Sequence, residues 1–222
     1  HKWDLIFSAI IPRAQSHIVR QLALPDPTSI TFGPNTHGFV LRILSCLPTN
    51  RPIRVLTTSS EFMSFSRQLA RLEEDGAAHV TRVACEPFET FEARFAAEAA
   101  RESFDLVFFS QVFFDSSYAV RDLARLVHAV RDEQTLVVID GYHGFMAVPT
   151  DLGAIASRAF YLAGGYKYAM AGEGVFFCIV LRVMEPDPPT PAGTQVLARW
   201  RRATRACNTR PTAAALWAPH ST

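Results

Sequence analysis

From residue 52 to residue 140, apolar and polar positions fall into blocks with two different periods. PIRVLTT (52–58), AHVTRVA (78–84), DLVFFS (105–110) and TLVVID (135–140) are short runs rich in β-branched and aromatic residues, and each predicts a strand. Between them lie MSFSRQLARLEE (63–74, stopped by Gly76), ETFEARFAAEAAR (89–101) and YAVRDLARLVHAVR (118–131). Their apolar residues recur every three to four positions, which predicts helices. The strands are near-continuous apolar runs rather than strict alternators, as expected where both faces of a parallel sheet are covered. Two more strands are expected at 158–162 and 174–182. The first 45 residues read as helical, with a break over Pro25–Pro34 and a new helix beginning near Thr36. This rhythm predicts an α/β fold, a three-layer α/β/α sandwich around a mainly parallel sheet.

After Arg182 the pattern is lost. The remaining stretch has six prolines, no phenylalanine, and Arg199, Arg201, Arg202 and Arg205 clustered around Trp200. The cluster reads either as a basic contact patch or as part of a poorly ordered tail with no packed partner. The expected organisation is a helical segment over 1–28, a large domain over 29–182 and a divergent Pro/Arg-rich tail over 183–222.

Composition narrows the function classes. A net charge of +1 gives no global field toward nucleic acid or a membrane surface. No apolar run reaches the roughly 18 residues that span a bilayer. The four cysteines are scattered, which predicts reduced thiols in a cytoplasmic protein, and no paired metal-ligand spacing accompanies them. No metal site is expected.

In open α/β sheets, ligands bind beyond the carboxyl ends of the strands. Four polar features fall at such ends: Asn35-Thr36-His37, Glu61-Phe62, Ser110-Gln111 and Asp140 to His143. Taken singly, each is also an ordinary cap or turn. The acidic strand end VVID suits an NTPase, but G-x-x-x-x-G-K-[ST] is missing, and no G-x-G-x-x-G follows the first strand. Lys167 is the unusual residue. The chain holds two lysines, Lys2 and Lys167, against twenty arginines. An amine can lose its proton and form a Schiff base, whereas a guanidinium cannot. The bland alternative is a lysine snorkelling at a strand end.

An aspartate paired with a Schiff-base lysine is what pyridoxal phosphate (PLP) requires. The segments TFGPNTHGFVLRILSCLP, VLTTSSEFMSFSRQLARLE, FFSQVFFDSS, VVIDGYHGF and GGYKYAMAGEGVFF follow in the order found in one family. Over roughly Ser29 to Val180 the chain resembles the class V aminotransferases among the fold-type I PLP-dependent enzymes, with kynureninases and cysteine desulfurases as members. The resemblance implies that Lys167 carries the cofactor as a Schiff base and that Asp140 partners the pyridine nitrogen. His143, in the family's D-x-x-H, then lies near the ring's phenolic oxygen or the substrate carboxylate. Phe62 takes the position that stacks on the ring, where desulfurases have histidine and kynureninases phenylalanine. Thr36 and His37, opening a helix, suit the phosphate, and Tyr166 resembles a kynureninase-type phosphate contact. Ser110 and Gln111 stand where relatives approach cofactor and substrate.

The implied partner is a small-molecule amino-acid substrate, and the implied assembly a homodimer when complete. Transamination, kynureninase-like cleavage and desulfuration share the opening step; desulfuration ranks last, because no cysteine lies in a recognisable catalytic loop. Family members continue into a smaller C-terminal domain that supplies an arginine for the substrate carboxylate. Here the resemblance stops soon after Val180, so that domain is expected to be missing and no arginine is assigned. The rival expectation is a truncated, non-catalytic PLP-binding remnant or interaction domain.

Overall fold

The computed structural model describes residues 2–180; the expectations for the tail beyond Arg182 lie outside the described residues. The chain opens with helices α1 (Lys2–Leu5) and α2 (Ile11–Gln21), joined by one π-helical turn, Ile6–Ile10. There follow β1 (Ile30–Gly33), α3 (Thr36–Leu44), β2 (Ile53–Thr58), α4 (Met63–Glu74), β3 (Ala78–Val83), α5 (Phe88–Arg101) and β4 (Leu106–Ser110). The series closes with α6 (Leu123–Ala129), β5 (Leu136–Asp140), β6 (Ala159–Gly164) and β7 (Phe176–Ile179).

The seven strands form one sheet in the order β1-β7-β6-β5-β4-β2-β3. Only β7 runs against the others, pairing antiparallel with both β6 and β1. The apolar runs place alternate residues on opposite faces. Val107, Phe109, Val137, Ile139 and Tyr161 pack under α2, α5 and α6 with Phe91, Phe95 and Leu126. Leu106, Phe108, Val138, Phe160 and Leu162 pack under α3 and α4 with Phe39, Val40, Phe65 and Leu69. Two apolar clusters, one per face, are the physical reason that the strands read as continuous rather than alternating. The expected three-layer sandwich is observed.

Two elements differ from the sequence-based expectation. The break over Pro25–Pro34 contains β1, a four-residue strand too short to carry a periodic signal. It exists because β7 offers a free edge: Ile30 pairs with Ile179 and Gly33 with Phe176. The helix expected over 118–131 is shortened to Leu123–Ala129. Glu92 on α5 is responsible, since its carboxylate accepts from the backbone N–H of Arg121 at 2.9 Å and of Asp122 at 3.3 Å. Those groups are thereby held out of the helix, which starts instead where Asp122 caps the N–H of Arg125 at 2.8 Å.

The connections set the position of the crevice. From β2 the chain runs outward to β3 through α4 on one face; from β3 it returns across the other face through α5 to β4, and proceeds to β5. The carboxyl ends of β2 and β4 therefore feed loops that depart in opposite directions, which is the arrangement that opens a ligand crevice in such sheets.

Candidate functional site

The sheet register places Gly33, Thr58, Ser110, Asp140 and Gly164 at one edge. Ser110 stands opposite Asp140, Asp140 opposite Leu162, and both Gly33 and Gly164 stand opposite Phe176. The loops that leave this edge carry Thr36, Glu61, Phe62, Gln111, His143 and Lys167.

Asp140 ends β5 almost fully buried, at 5% exposure. Its Oδ1 accepts from the backbone N–H of Tyr142 at 2.9 Å, while Oδ2 accepts from no group among the described residues. Burial drives the carboxyl up to about 6, the Tyr142 bond opposing. At neutral pH it is thus an anion with one oxygen uncommitted.

In the sequence Glu61 is only one half of a polar pair, yet in the fold it is the most deeply engaged carboxyl at this edge. β2 and β4 pair only through Val55↔Leu106 and Leu56↔Val107, so beyond them the strands part. Glu61 fills the gap. Its Oε1 accepts from Thr58 Oγ1 at 2.6 Å and from the Ser110 backbone N–H at 3.2 Å, and its Oε2 shares a hydrogen bond with Ser110 Oγ at 2.6 Å. Burial pushes its carboxyl up to about 8, helped by the Asp140 charge and opposed by the bonds from Ser110 and Thr58. The edge therefore holds two carboxyls whose surroundings separate them, Glu61 neutral and Asp140 charged at pH 7. An acid just before a helix also reads as a routine partner of the helix dipole, which is why sequence pattern alone passes over it.

Phe62 is half-buried. Its ring meets Phe114 edge-on at 5.4 Å between centroids and His143 at 6.1 Å. It is also the N-cap of α4 and makes no side-chain cap bond. A cap position that forgoes Ser, Thr, Asp or Asn forgoes roughly 1 kcal/mol of helix stability, as do the N-caps of α2 and α5, Ile10 and Pro87. His143 is held below the usual histidine range, first by burial and then by the charge of Lys167. Lys167 itself is exposed, in a loop fastened by Gly165 N–H to Val175 at 2.7 Å and Ala171 N–H to Gly165 at 2.8 Å. Its Nζ lies 5.7 Å from the centre of the Tyr142 ring.

Other expected residues are engaged differently. Thr36 is buried at the first turn of α3, where the Asn35 side chain accepts from the Gly38 N–H at 2.7 Å. His37 faces α4: its Nδ1 is 3.0 Å from Gln68 Nε2, and it lines a groove of about 510 Å³ with Arg51 and Arg71. The Ser110 hydroxyl is committed to Glu61. Gln111 faces inward, accepting from the Tyr161 hydroxyl and donating to Thr150, both at 2.8 Å. Gly141 must be glycine here, because a Cβ would lie 1.9 Å from the Tyr161 ring. Tyr166 is exposed.

Among the described residues no group of His, Cys, Asp and Glu could hold a metal, and no helix is long and apolar enough to cross a membrane. Cys85 and Cys178 are buried thiols, and Cys46 is buried with its Sγ donating to the Arg42 carbonyl at 3.2 Å; Cys207 lies outside the described residues.

No protein-family model and no curated protein matches the chain. Solved structures do match in fold. The cysteine desulfurase of Thermococcus onnurineus NA1 is 14% identical with a TM-score of 0.63, over 88% of this chain and 56% of that one. A variant of the cystine C-S lyase C-DES, with glycine covalently linked to its PLP cofactor, is 14% identical with a TM-score of 0.64, over 93% and 62%. An aromatic aminotransferase from Pyrococcus horikoshii OT3 is 14% identical with a TM-score of 0.62, over 89% and 52%. The chain thus has the fold of the large domain of PLP-dependent transferases and spans 52–62% of the length of these three structures.

Proposed function

We propose that this chain is the cofactor-binding domain of a PLP-dependent enzyme acting on an amino acid, with chemistry of the class V aminotransferase or kynureninase-like kind. The observation that carries this reading is Asp140: a buried carboxylate, ionised at neutral pH, with one oxygen left open at the crevice edge. An open carboxylate oxygen of this kind suits the protonated pyridine nitrogen of the cofactor. When bound, PLP supplies an electron sink for bonds at the amino acid's α-carbon.

The chain's own residues then divide the work. Asp140 holds a proton on the ring nitrogen through its open oxygen. Lys167 would hold the cofactor's aldehyde through its amine, and as a free amine would take the proton from the amino acid's α-carbon. Phe62 offers the ring a half-buried aromatic face. Thr36 and the first-turn N–H groups of α3, His37 among them, bind the phosphate at the positive end of that helix, and Tyr166 adds a hydroxyl from the lysine loop. His143, kept neutral at pH 7, orients the ring hydroxyl or the substrate carboxylate. Ser110 acts from behind, through its bond to Glu61. Phe62 favours the kynureninase-like reading over desulfuration. The start of α4 and the loops around the crevice also expose Met63, Phe114, Met146, Tyr166 and Tyr168. An apolar rim of this kind supports a homodimer in which a second copy covers the site; a strictly monomeric protein in sedimentation would remove that part.

Adding PLP to the protein should produce a visible absorption band. Phe62→Ala should raise the PLP concentration needed to reach it by about three- to tenfold, the worth of one offset ring contact. An unchanged titration would take Phe62 out of the site. Product analysis across a panel of amino acids then separates an enzyme from a non-catalytic remnant, since a remnant would show the band and form no product.

A further inference from the structure

The lysine loop and the loop after β5 meet at one side chain that neither the motif pattern nor the roles above employ. Tyr142 lies between Asp140 and His143 and is half-buried. Its ring stacks on Phe176 at 5.5 Å between centroids and 8° between planes, and meets the His143 ring edge-on at 5.5 Å. The space it occupies is cleared by Gly164, where a Cβ would stand 2.4 Å from Tyr142 Cε2. One face rests on Phe176, and the Nζ of Lys167 approaches the ring at 5.7 Å from its centre. A ring so supported presents the negative face of its π-system to an ammonium group.

We propose that Tyr142 is a positioning residue: its ring docks the ammonium of Lys167 beside the crevice whenever that lysine carries no covalent partner. The inference rests on the reading of Lys167 as the Schiff-base lysine, and it adds where that amine waits when free. The surroundings agree with it. Of the titratable groups that face the pair, Asp140 ends β5, His143 comes from the loop after it, and Tyr166 and Glu173 come from the lysine loop. His143 is held toward its neutral form by burial and by the lysine charge, so it does not compete for the ring as a second cation. The Tyr142 phenol is pushed up, by burial first and then by Tyr166, Asp140 and Glu173, so the docking surface is a neutral ring at physiological pH.

The scarcity of lysine makes a direct test practicable. Acetic anhydride acylates only the neutral amine: nitrogen bonds to the carbonyl carbon, acetate leaves, and the amine proton passes to solvent. Acetylation of Lys167 is read by peptide mass spectrometry against Lys2, which lies over Trp3, far along the chain, and serves as an internal reference. In Tyr142→Leu, Lys167 should label about threefold faster relative to Lys2 at neutral pH, the release expected on losing one cation–π contact. Tyr142→Phe keeps the ring face and should label at the wild-type rate. In strongly alkaline buffer, where little ammonium remains in any of the three proteins, the difference should vanish. Equal labelling of Tyr142→Leu and wild type at neutral pH overturns the proposal. So does a difference that persists in alkali, or a Phe variant that behaves like Leu, since either would report packing rather than charge. Because the assay contains no PLP, failure of the cofactor reading leaves this result intact, and the two are judged separately.

Discussion

Between pH 6 and pH 8 the folded protein should lose about 2–3 kcal/mol of stability through one side chain, and Glu61→Gln should remove most of that loss. An unfolded glutamate ionises near 4.5, whereas in the fold burial raises Glu61 to about 8. Across the interval the unfolded state has released the proton and the folded state still holds it. Each pH unit then costs about 1.4 kcal/mol for that group, and the fall ends above the folded value. Asp140, raised to about 6, adds a similar fall between roughly 4 and 6, so the upper window isolates Glu61. His143 acts in the opposite sense: its lowered value means that stability is gained as pH rises toward 6.5. It is present in both proteins and cancels in the comparison. The variant keeps the length of the side chain and an oxygen for Thr58 and Ser110. Urea melts at pH 6, 7 and 8 decide the matter; parallel pH profiles for the two proteins would mean that Glu61 is ionised in the fold.

Asp140→Asn should separate cofactor binding from chemistry. The amide keeps an oxygen for the Tyr142 N–H, so the loop geometry is retained. A neutral side chain no longer stabilises a protonated ring nitrogen, and charge that builds up at the α-carbon loses its outlet. Exchange of the amino acid's α-proton with solvent should fall by about 10²–10³-fold, the scale of losing one preorganised charge-stabilising contact. The visible band should still form with PLP. Exchange at the wild-type rate in this variant would assign the aspartate to a structural role only.

How much of this is legible in the sequence follows from what each residue competes against. The sheet core announced itself because buried parallel strands leave no polar alternation, and α4 begins at Met63 and ends at Glu74 as its spacing predicts. β1 was invisible, since four residues make sense only once β7 supplies an edge. The start of α6 is not legible because a carboxylate on another helix, Glu92, claims the N–H groups before it. The same contrast holds at the crevice. Asp140 and Lys167 were legible because an acid ending an apolar strand and a lone lysine in an arginine-rich chain each break a local rule. Glu61 and Tyr142 break none: one looks like a partner of the helix dipole and the other like a turn aromatic. Their significance arises from contacts across 49 residues, Glu61 to Ser110, and from a glycine 22 positions further on, Gly164 beside Tyr142.

The central claim is that Lys167 is the amine that takes the cofactor's aldehyde. The protein is mixed with PLP and treated with borohydride, whose hydride, with a solvent proton, converts the C=N bond to a stable secondary amine. Peptide mapping then locates the label. With only Lys2 and Lys167 available among the lysines, the account predicts a stoichiometric label on Lys167, absent in Lys167→Ala. A label confined to Lys2, or no label at any PLP concentration, would contradict it.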